Sequence, residues 1–566
     1  MRRLAVYIPW VLAALFAFAI LPTIGTLSVF HPDERYYSEA ALHMNQSRDY
    51  ITPLDHAGNL RLVKPFFTYW AVAFSYLLLG VNSFSMRFPS VLAAAISVFF
   101  SYRLGFELSG KMRVGLLSAL ITMSSVQFIL AAGRANPDIF LCLFMLLSFY
   151  GFSGLVLLPQ CKQSYYWYAY LGAGMAIGTK GLLGLVFIAY VWLYVLFDRK
   201  LSFKRIIYVP ALLTGGAVAG WWYLSVQLLY GGHSLGGFWQ DQLGRNMAGS
   251  FLAAILGIVS FVYLEIIYIY PWSFIALETV VKTRRDGVQK EQGILSEYMR
   301  FSVPWLLLGA IIFGVNKHLR IRYMLPYIPI IATWLAMGIA QARQRVKLRA
   351  IWHQAMVVAM VLMFVSLVMI VAQAELGAYI PAFVTALICV VGYAVLVASK
   401  NAESCLRSVT VLGVSLVALF PLSYLTFVPI LGRDPAPRVV RYLEEHGYTE
   451  KIVYCVTKSK FFEKMRMSAP SGIKFVLHKK RTPLDVPTGS YVLVFDDMLP
   501  DYRQKILGYH WINVAGRMGK VKVSGILKGL LLGRLKAVLD AHKEQLYLGI
   551  PQGAGKSVHR KEMGSR

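Results

Sequence analysis

Residues 4–44 read LAVYIPWVLAALFAFAILPTIGTLSVFHPDERYYSEAALHM, an apolar run to Phe30 followed at once by Pro32-Asp33-Glu34. About twenty apolar residues suffice for one helix to cross the hydrocarbon core of a bilayer. Arg2, Arg3 and Ala17-Phe18-Ala19 imitate a signal peptide and its cleavage site. The apolar run continues past them, so the segment is read as an uncleaved first span. The acids fall where that span ends. Proline in a first turn and carboxylates at a helix N-terminus are both favoured, so Pro32-Asp33-Glu34 predicts a helix start. Tyr37, Ala40, Ala41 and Met44 then share its inward face.

The whole chain repeats that apolar character. It has 566 residues, is 57% hydrophobic and has a mean hydropathy of +0.56, which points to an α-helical polytopic membrane protein. Apolar segments recur near 4–30, 88–106, 114–132, 139–158, 165–179, 182–197, 206–229, 257–280, 301–316, 323–341, 354–373, 378–398 and 407–431. These make about thirteen expected spans. The net charge of +29 comes without any nucleic-acid-binding motif, so the expected partners are membrane lipids and phosphorylated lipids, with no nucleic acid. Basic clusters at Arg2/Arg3, Lys111/Arg113, Arg199–Arg205, Lys282–Arg285 and Arg343–Arg349 share the cytoplasmic side only if 66–80 lies flat on the outer surface. The N-terminus is then cytoplasmic and the C-terminal part extracytoplasmic.

Residues 1–431 are expected to form the transmembrane domain, with 31–87 as its first external loop. Within that loop a β-hairpin is expected around Asp55–Gly58. Residues 432–550 read as an extracytoplasmic α/β domain, with RVVRYLEEHGY as a helix and KIVYCV and SYVLVF as strands. Residues 523–550 read as a basic amphipathic helix, and 551–566 as a polar, disordered tail. The five cysteines are scattered and contain no Cys-x-x-Cys, which suggests neither a disulfide framework nor a zinc site. Tyrosines and tryptophans are assigned mainly to interface belts.

The polar residues worth chemistry gather on one expected side. Asp33 and Glu34 alone also admit a reading as a solvated helix cap, the less favoured of the two. Asp138, in the short turn of AAGRANPDIF, faces the same compartment, as does Lys180 in GTKGLLG. NKHLRIRYMLPY adds Lys317, Arg322 and Tyr323, and Arg35, Arg61, Lys64 and Arg245 are external too. Acids and cations together at a membrane surface suit a reaction on a phosphate-bearing lipid.

These residues occur in a familiar order. Asp33-Glu34 follows the first span and Lys64-Pro65 precedes an aromatic stretch, after which comes Arg87-Phe88-Pro89-Ser90. Further along stand Pro137-Asp138, Thr179-Lys180-Gly181, Trp222-Tyr223, Pro271-Trp272-Ser273 and Arg322-Tyr323-Met324-Leu325-Pro326. Over roughly residues 1–340 the chain resembles the bacterial branch of the protein-mannosyltransferase-like family of GT-C glycosyltransferases, which includes the aminoarabinose lipid A transferases. The resemblance implies a GT-C fold and transfer of a sugar from a polyprenyl-phosphate donor to a lipid, glycan or protein acceptor outside the bacterial cytoplasmic membrane. It makes Asp33 the general base, with Glu34 and Asp138 orienting the acceptor or stabilising the reacting centre. Lys64 matches the family's phosphate-contacting lysine, and Tyr323 a tyrosine of the same site. Arg35, Tyr36, Lys180, Arg245, Lys317 and Arg322 complete the expected substrate-binding set.

Two departures stand out. The family's Asp-Glu-x-Arg-Tyr is here Asp33-Glu34-Arg35-Tyr36-Tyr37, which turns the cation about 100° around a helix. Val63 and Gln242 stand where the lipid A transferases hold a metal, so neither metal nor other cofactor is expected. His31, His43, His56 and His233 form no ligand spacing. A flippase or transporter of lipid-linked sugars is the rival reading, though transporters place polar residues in broken mid-membrane helices rather than in outer loops. An inactive lipid-binding scaffold is the third.

Overall fold

The computed structural model describes residues 2–25, 33–55, 58–198, 201–231, 234–242, 251–269, 293–314, 321–342, 436–447, 452–456, 473–477, 490–495, 497–507, 509–518 and 532–551, with short pieces at 272, 368–372, 383–388, 390 and 417. The chain divides into two compact units, one of residues 1–25, 36–367 and 385–422, the other of 26–35, 368–384 and 423–566.

The first unit is helical. Its leading helices are α1 (Arg2–Ile24), α2 (Asp33–Ser47, of which 33–35 fall in the other unit), α3 (Phe67–Leu79), α4 (Ser83–Ser109), α5 (Met112–Ser124), α6 (Val126–Ala132), α7 (Pro137–Leu157), α8 (Gln163–Lys180), α9 (Leu183–Phe197) and α10 (Val209–Tyr230). Among the described residues, five helical segments are long and apolar enough to cross a membrane: Val6–Ile24, Ser83–Ser109, Pro137–Leu157, Val209–Tyr230 and Arg322–Ala340. A sixth counts if α5 and α6, bent by 66° at Ser125, are one broken span. The expected spans at 165–179, 182–197, 257–280 and 301–316 are helical in their described parts but fall short of that measure in length or apolarity. Those at 354–373, 378–398 and 407–431 lie largely outside the described residues.

Local chemistry sets the helix ends. α2 starts at Asp33 as the proline and acids predict, and Tyr37, Ala40, Ala41 and Met44 are all buried. α3, with 13 residues, is about 20 Å long, too short for a crossing. α4 opens with a capping box: Ser85 N–H donates to Asn82 Oδ1 at 2.9 Å and Asn82 N–H to Ser85 Oγ at 3.1 Å. Arg87, buried inside α4, donates from Nη1 to the Ile24 carbonyl at 2.7 Å and so satisfies an end of α1. Small residues let the helices approach. A Cβ on Gly172 of α8 would stand 2.6 Å from Ser148 N of α7. Several tryptophans assigned to belts are core residues instead. Trp222, Trp272 and Trp305 are buried, and Trp272 Nε1 donates to Ser124 Oγ at 2.8 Å. Each ring is large enough to fill an interhelical gap, and a buried N–H is tolerable once it is bonded.

The second unit carries a mixed sheet of β1 (Ile452–Val456), β2 (Lys474–Leu477), β3 (Tyr491–Phe495), β4 (Tyr509–Met518) and β5 (Lys543–Pro551), in the order β2-β1-β3-β5-β4. β1 pairs in parallel with β2 and β3, whereas β5 runs antiparallel to β3 and β4. Helix Ala436–Glu445 covers one face through Val439, Val440 and Leu443; helix Leu499–Lys505 covers the other through Leu499 and Tyr502. The expected amphipathic helix over 523–550 is corrected here. Only Leu535–Asp540 of its described part is helical, and 543–551 is strand. Leu546, Leu548 and Ile550 alternate onto one face while Tyr547 packs on the other, so a period of two overrides the helical reading. The tail at 552–566 lies outside the described residues.

Candidate active site

Asp138 is the best-defined of the expected site residues. It stands in the first turn of α7, where Pro137 occupies the opening position and Asn136 Oδ1 accepts the Asp138 N–H at 3.1 Å. Its carboxylate is buried, with 2% of the side chain exposed, and each oxygen meets a cation. Lys180 Nζ, from the last turn of α8, bonds Oδ1. Arg322 Nε, from the 3-10 segment Ile321–Tyr327, stands 3.4 Å from Oδ2. The Lys180 ammonium also lies 4.3 Å from the centre of the buried Tyr323 ring, a cation–π contact that fixes it from a second side. Tyr323 stacks in turn on Phe313 at 5.1 Å. Cys142 Sγ donates to the Leu325 carbonyl at 3.3 Å, tying α7 to the same 3-10 segment one turn below Asp138. Three elements distant in sequence thus converge on one carboxylate, and the cluster of Asp138, Lys180 and Arg322 carries one net positive charge.

The first loop packs against this end of the helices. Phe66 fills the space beside Gly178, where a Cβ would stand 2.7 Å from its ring, and Phe67 lies 5.4 Å from Phe140. Lys64, two residues earlier, is half-buried and has its own interaction partners. The expected hairpin is a minimal one. A single antiparallel bridge joins Leu54 to Leu60, and Asp55 Oδ1 accepts the Asn59 N–H at 3.0 Å. Trp222 Nε1 donates to the Ile51 carbonyl at 2.9 Å and Trp70 Nε1 to that of Tyr50 at 2.6 Å, so aromatic residues clamp the loop.

The remaining expected residues divide. Glu34 and Arg35 are buried in the first turn of α2, and Tyr36 lies beneath the Arg61 guanidinium. Asp33 begins α2, but its side chain lies outside what is described, as do Arg245 and Lys317 altogether. Val63 offers no donor atom to a metal, and among the described residues no three His, Cys, Asp or Glu side chains form a metal-holding group. Sequence reasoning missed the stack of Arg61 on Tyr36 and the role of Trp70 and Trp222 as clamps. The density of aromatic residues at 66–70 and 221–223 was the available signal.

Residues 63–223 match the family described as dolichyl-phosphate-mannose-protein mannosyltransferase. An uncharacterised protein of Aquifex aeolicus is 29% identical over 317 residues, 55% of this chain and 59% of that one. An undecaprenyl phosphate-alpha-4-amino-4-deoxy-L-arabinose arabinosyl transferase of Yersinia enterocolitica is 26% identical over 348 residues, 60% of each chain. The chain therefore spans about three fifths of the length of the curated relatives it matches. The crystal structure of ArnT from Cupriavidus metallidurans bound to undecaprenyl phosphate superposes with a TM-score of 0.66, covering 89% of this chain and 95% of that one at 17% identity. The chain thus has the GT-C fold of ArnT and resembles the protein-mannosyltransferase-like family in its aminoarabinose-transferase branch.

Proposed function

We propose that the protein is a multi-pass membrane glycosyltransferase of the bacterial cytoplasmic membrane, which moves a sugar from a polyprenyl-phosphate donor to an acceptor on the outer side. The observation that carries this reading is the buried Asp138–Lys180–Arg322 cluster beside Tyr323, which fixes two cations at one end of the helices. Undecaprenyl phosphate bound to the structural relative supports a polyprenyl donor. The acceptor is an envelope lipid, a glycan or a protein.

In the proposed reaction an acceptor hydroxyl attacks the anomeric carbon. The new carbon–oxygen bond forms as the bond from that carbon to the phosphate oxygen breaks, and its electron pair leaves with the polyprenyl phosphate. The acceptor's proton passes to the Asp33 carboxylate, worth about 10²- to 10⁴-fold in rate for a well-placed base. Glu34 orients the acceptor. The leaving phosphate needs fixed cations more than mobile ones, because preorganised charge costs no reorganisation during the reaction. Lys64 supplies one. Asp138 takes a different part from those read in the sequence, orienting the acceptor or stabilising the reacting centre, since both its oxygens are engaged: it holds Lys180 and Arg322 in place as a positioning residue. Arg35, Arg245 and Lys317 remain proposed donor contacts.

Mass spectrometry of envelope lipids and glycans from a deletion strain tests the reading. A single sugar lost from one envelope component, restored by the wild-type gene, is the expected result. An unchanged envelope, with lipid-linked sugar still flipped and consumed, would refute it.

A further inference from the structure

Arg61 is an unused cation on the same end of the helices. The minimal hairpin holds its backbone, with the Arg61 N–H donating to the Pro53 carbonyl at 2.8 Å. The next residue, Leu62, anchors the strand by packing with Phe66, Trp222 and Val226. The Arg61 guanidinium carbon lies 3.6 Å from the centre of the Tyr36 ring. Stacking of this kind fixes the plane of the fork while leaving its N–H groups free to bond. One of them is conspicuous. Nε is buried and has no hydrogen-bond partner among the described residues, and the same is true of the Tyr69 hydroxyl. Tyr69 is fully buried. Burial raises its pKa, and the adjacent Arg61 guanidinium pulls it back down through its charge and a long hydrogen bond to the hydroxyl oxygen, which leaves the O–H hydrogen itself without an acceptor. Buried donors without acceptors are costly, and a bound ligand or ion is one way in which they are satisfied.

Two unanswered donors beside a fixed positive charge call for an anion with at least two oxygens. Phosphate has that geometry, and arginine binds it through paired N–H groups. We propose that Arg61, three residues before Lys64, and Tyr69, five residues after it, bind the phosphate of the lipid-linked donor. This rests on the donor assignment above. It also gives Tyr36 a purpose. Tyr36 stands at the motif position where the resembling family has its arginine, and here its ring carries a guanidinium supplied from the hairpin instead.

The test measures undecaprenyl phosphate binding to the purified full-length protein in phosphatidylcholine nanodiscs, with phosphatidylglycerol as competitor. Arg61→Ala should weaken binding on the order of tenfold to a hundredfold, the loss expected for a charge-assisted hydrogen bond. Tyr69→Phe removes one oxygen and should cost roughly threefold to tenfold. Arg61→Lys should resemble Arg61→Ala, because an ammonium lacks the planar fork. Phosphatidylglycerol should compete poorly in every case. Wild-type affinity in both Arg61→Ala and Tyr69→Phe, with Lys64→Ala still impaired, would overturn this site and leave the donor reading intact. A wild-type protein that ignores undecaprenyl phosphate but binds phosphatidylglycerol through Arg61 would overturn the donor reading and this assignment together.

Discussion

Helix α8 meets a carboxylate at each of its ends, buried at one and part-buried at the other, and the two ion clusters are built differently. At its C-terminal end Lys180 and Arg322 grip Asp138, with side-chain exposures of 15%, 21% and 2%. At its N-terminal end Lys162 and Arg103 meet Glu107, with exposures of 55%, 34% and 9%, and Tyr165 adds a hydroxyl donor. Both have one acid between two bases. The first joins three elements far apart in sequence and is roofed by Tyr323. The second is half local, since Arg103 and Glu107 are one turn apart on α4, and its Lys162 lies open to solvent. Charge in water is screened and cheaply reorganised, whereas charge held under an aromatic ring is neither. The difference separates the cluster proposed to serve chemistry from one suited to fastening helices.

Removing the acid tests that contrast most severely. Asp138→Ala strands two partly buried cations, and equilibrium unfolding of the purified protein should show a loss of about 3–5 kcal/mol. Glu107→Ala should cost less, about 1–2 kcal/mol, because Lys162 lies open to solvent and Arg103 is more exposed than either Lys180 or Arg322. Equal losses at the two ends would break the comparison. The smallest effect belongs to Lys162→Ala. An exposed pair contributes about 0–1 kcal/mol, so stability and sugar transfer should both stay near wild type. A pronounced loss of transfer in that variant would mean that the N-terminal end of α8 also takes part in the reaction.

The sequence made some of this legible and concealed the rest for physical reasons. The start of α2 could be read because proline and acids act locally, within one turn. Asp138, Lys180, Arg322 and Tyr323 could be assigned to one side because the positive-inside bias fixes the sidedness of every loop at once. Their mutual contacts could not be read, since they depend on how α7, α8 and the 3-10 segment pack. The stack of Arg61 on Tyr36 was hidden for the same reason: it spans the hairpin. The strand at 543–551 was misread for a different one. Leu535 and Leu539 of the preceding helix and Leu546 and Leu548 of the strand form one continuous leucine-rich stretch, so helical periodicity was carried past its end.

The proposed reaction moves sugar from a polyprenyl phosphate with Asp33 as the base. Turnover of an undecaprenyl-phosphate-linked sugar by purified wild-type protein and by Asp33→Asn, followed as released undecaprenyl phosphate with donor affinity measured in parallel, tests it directly. The expected result is release by the wild type, a rate lower by about 10²- to 10⁴-fold in Asp33→Asn, and unchanged donor affinity. Wild-type turnover in Asp33→Asn, or donor binding abolished by that substitution, would contradict it.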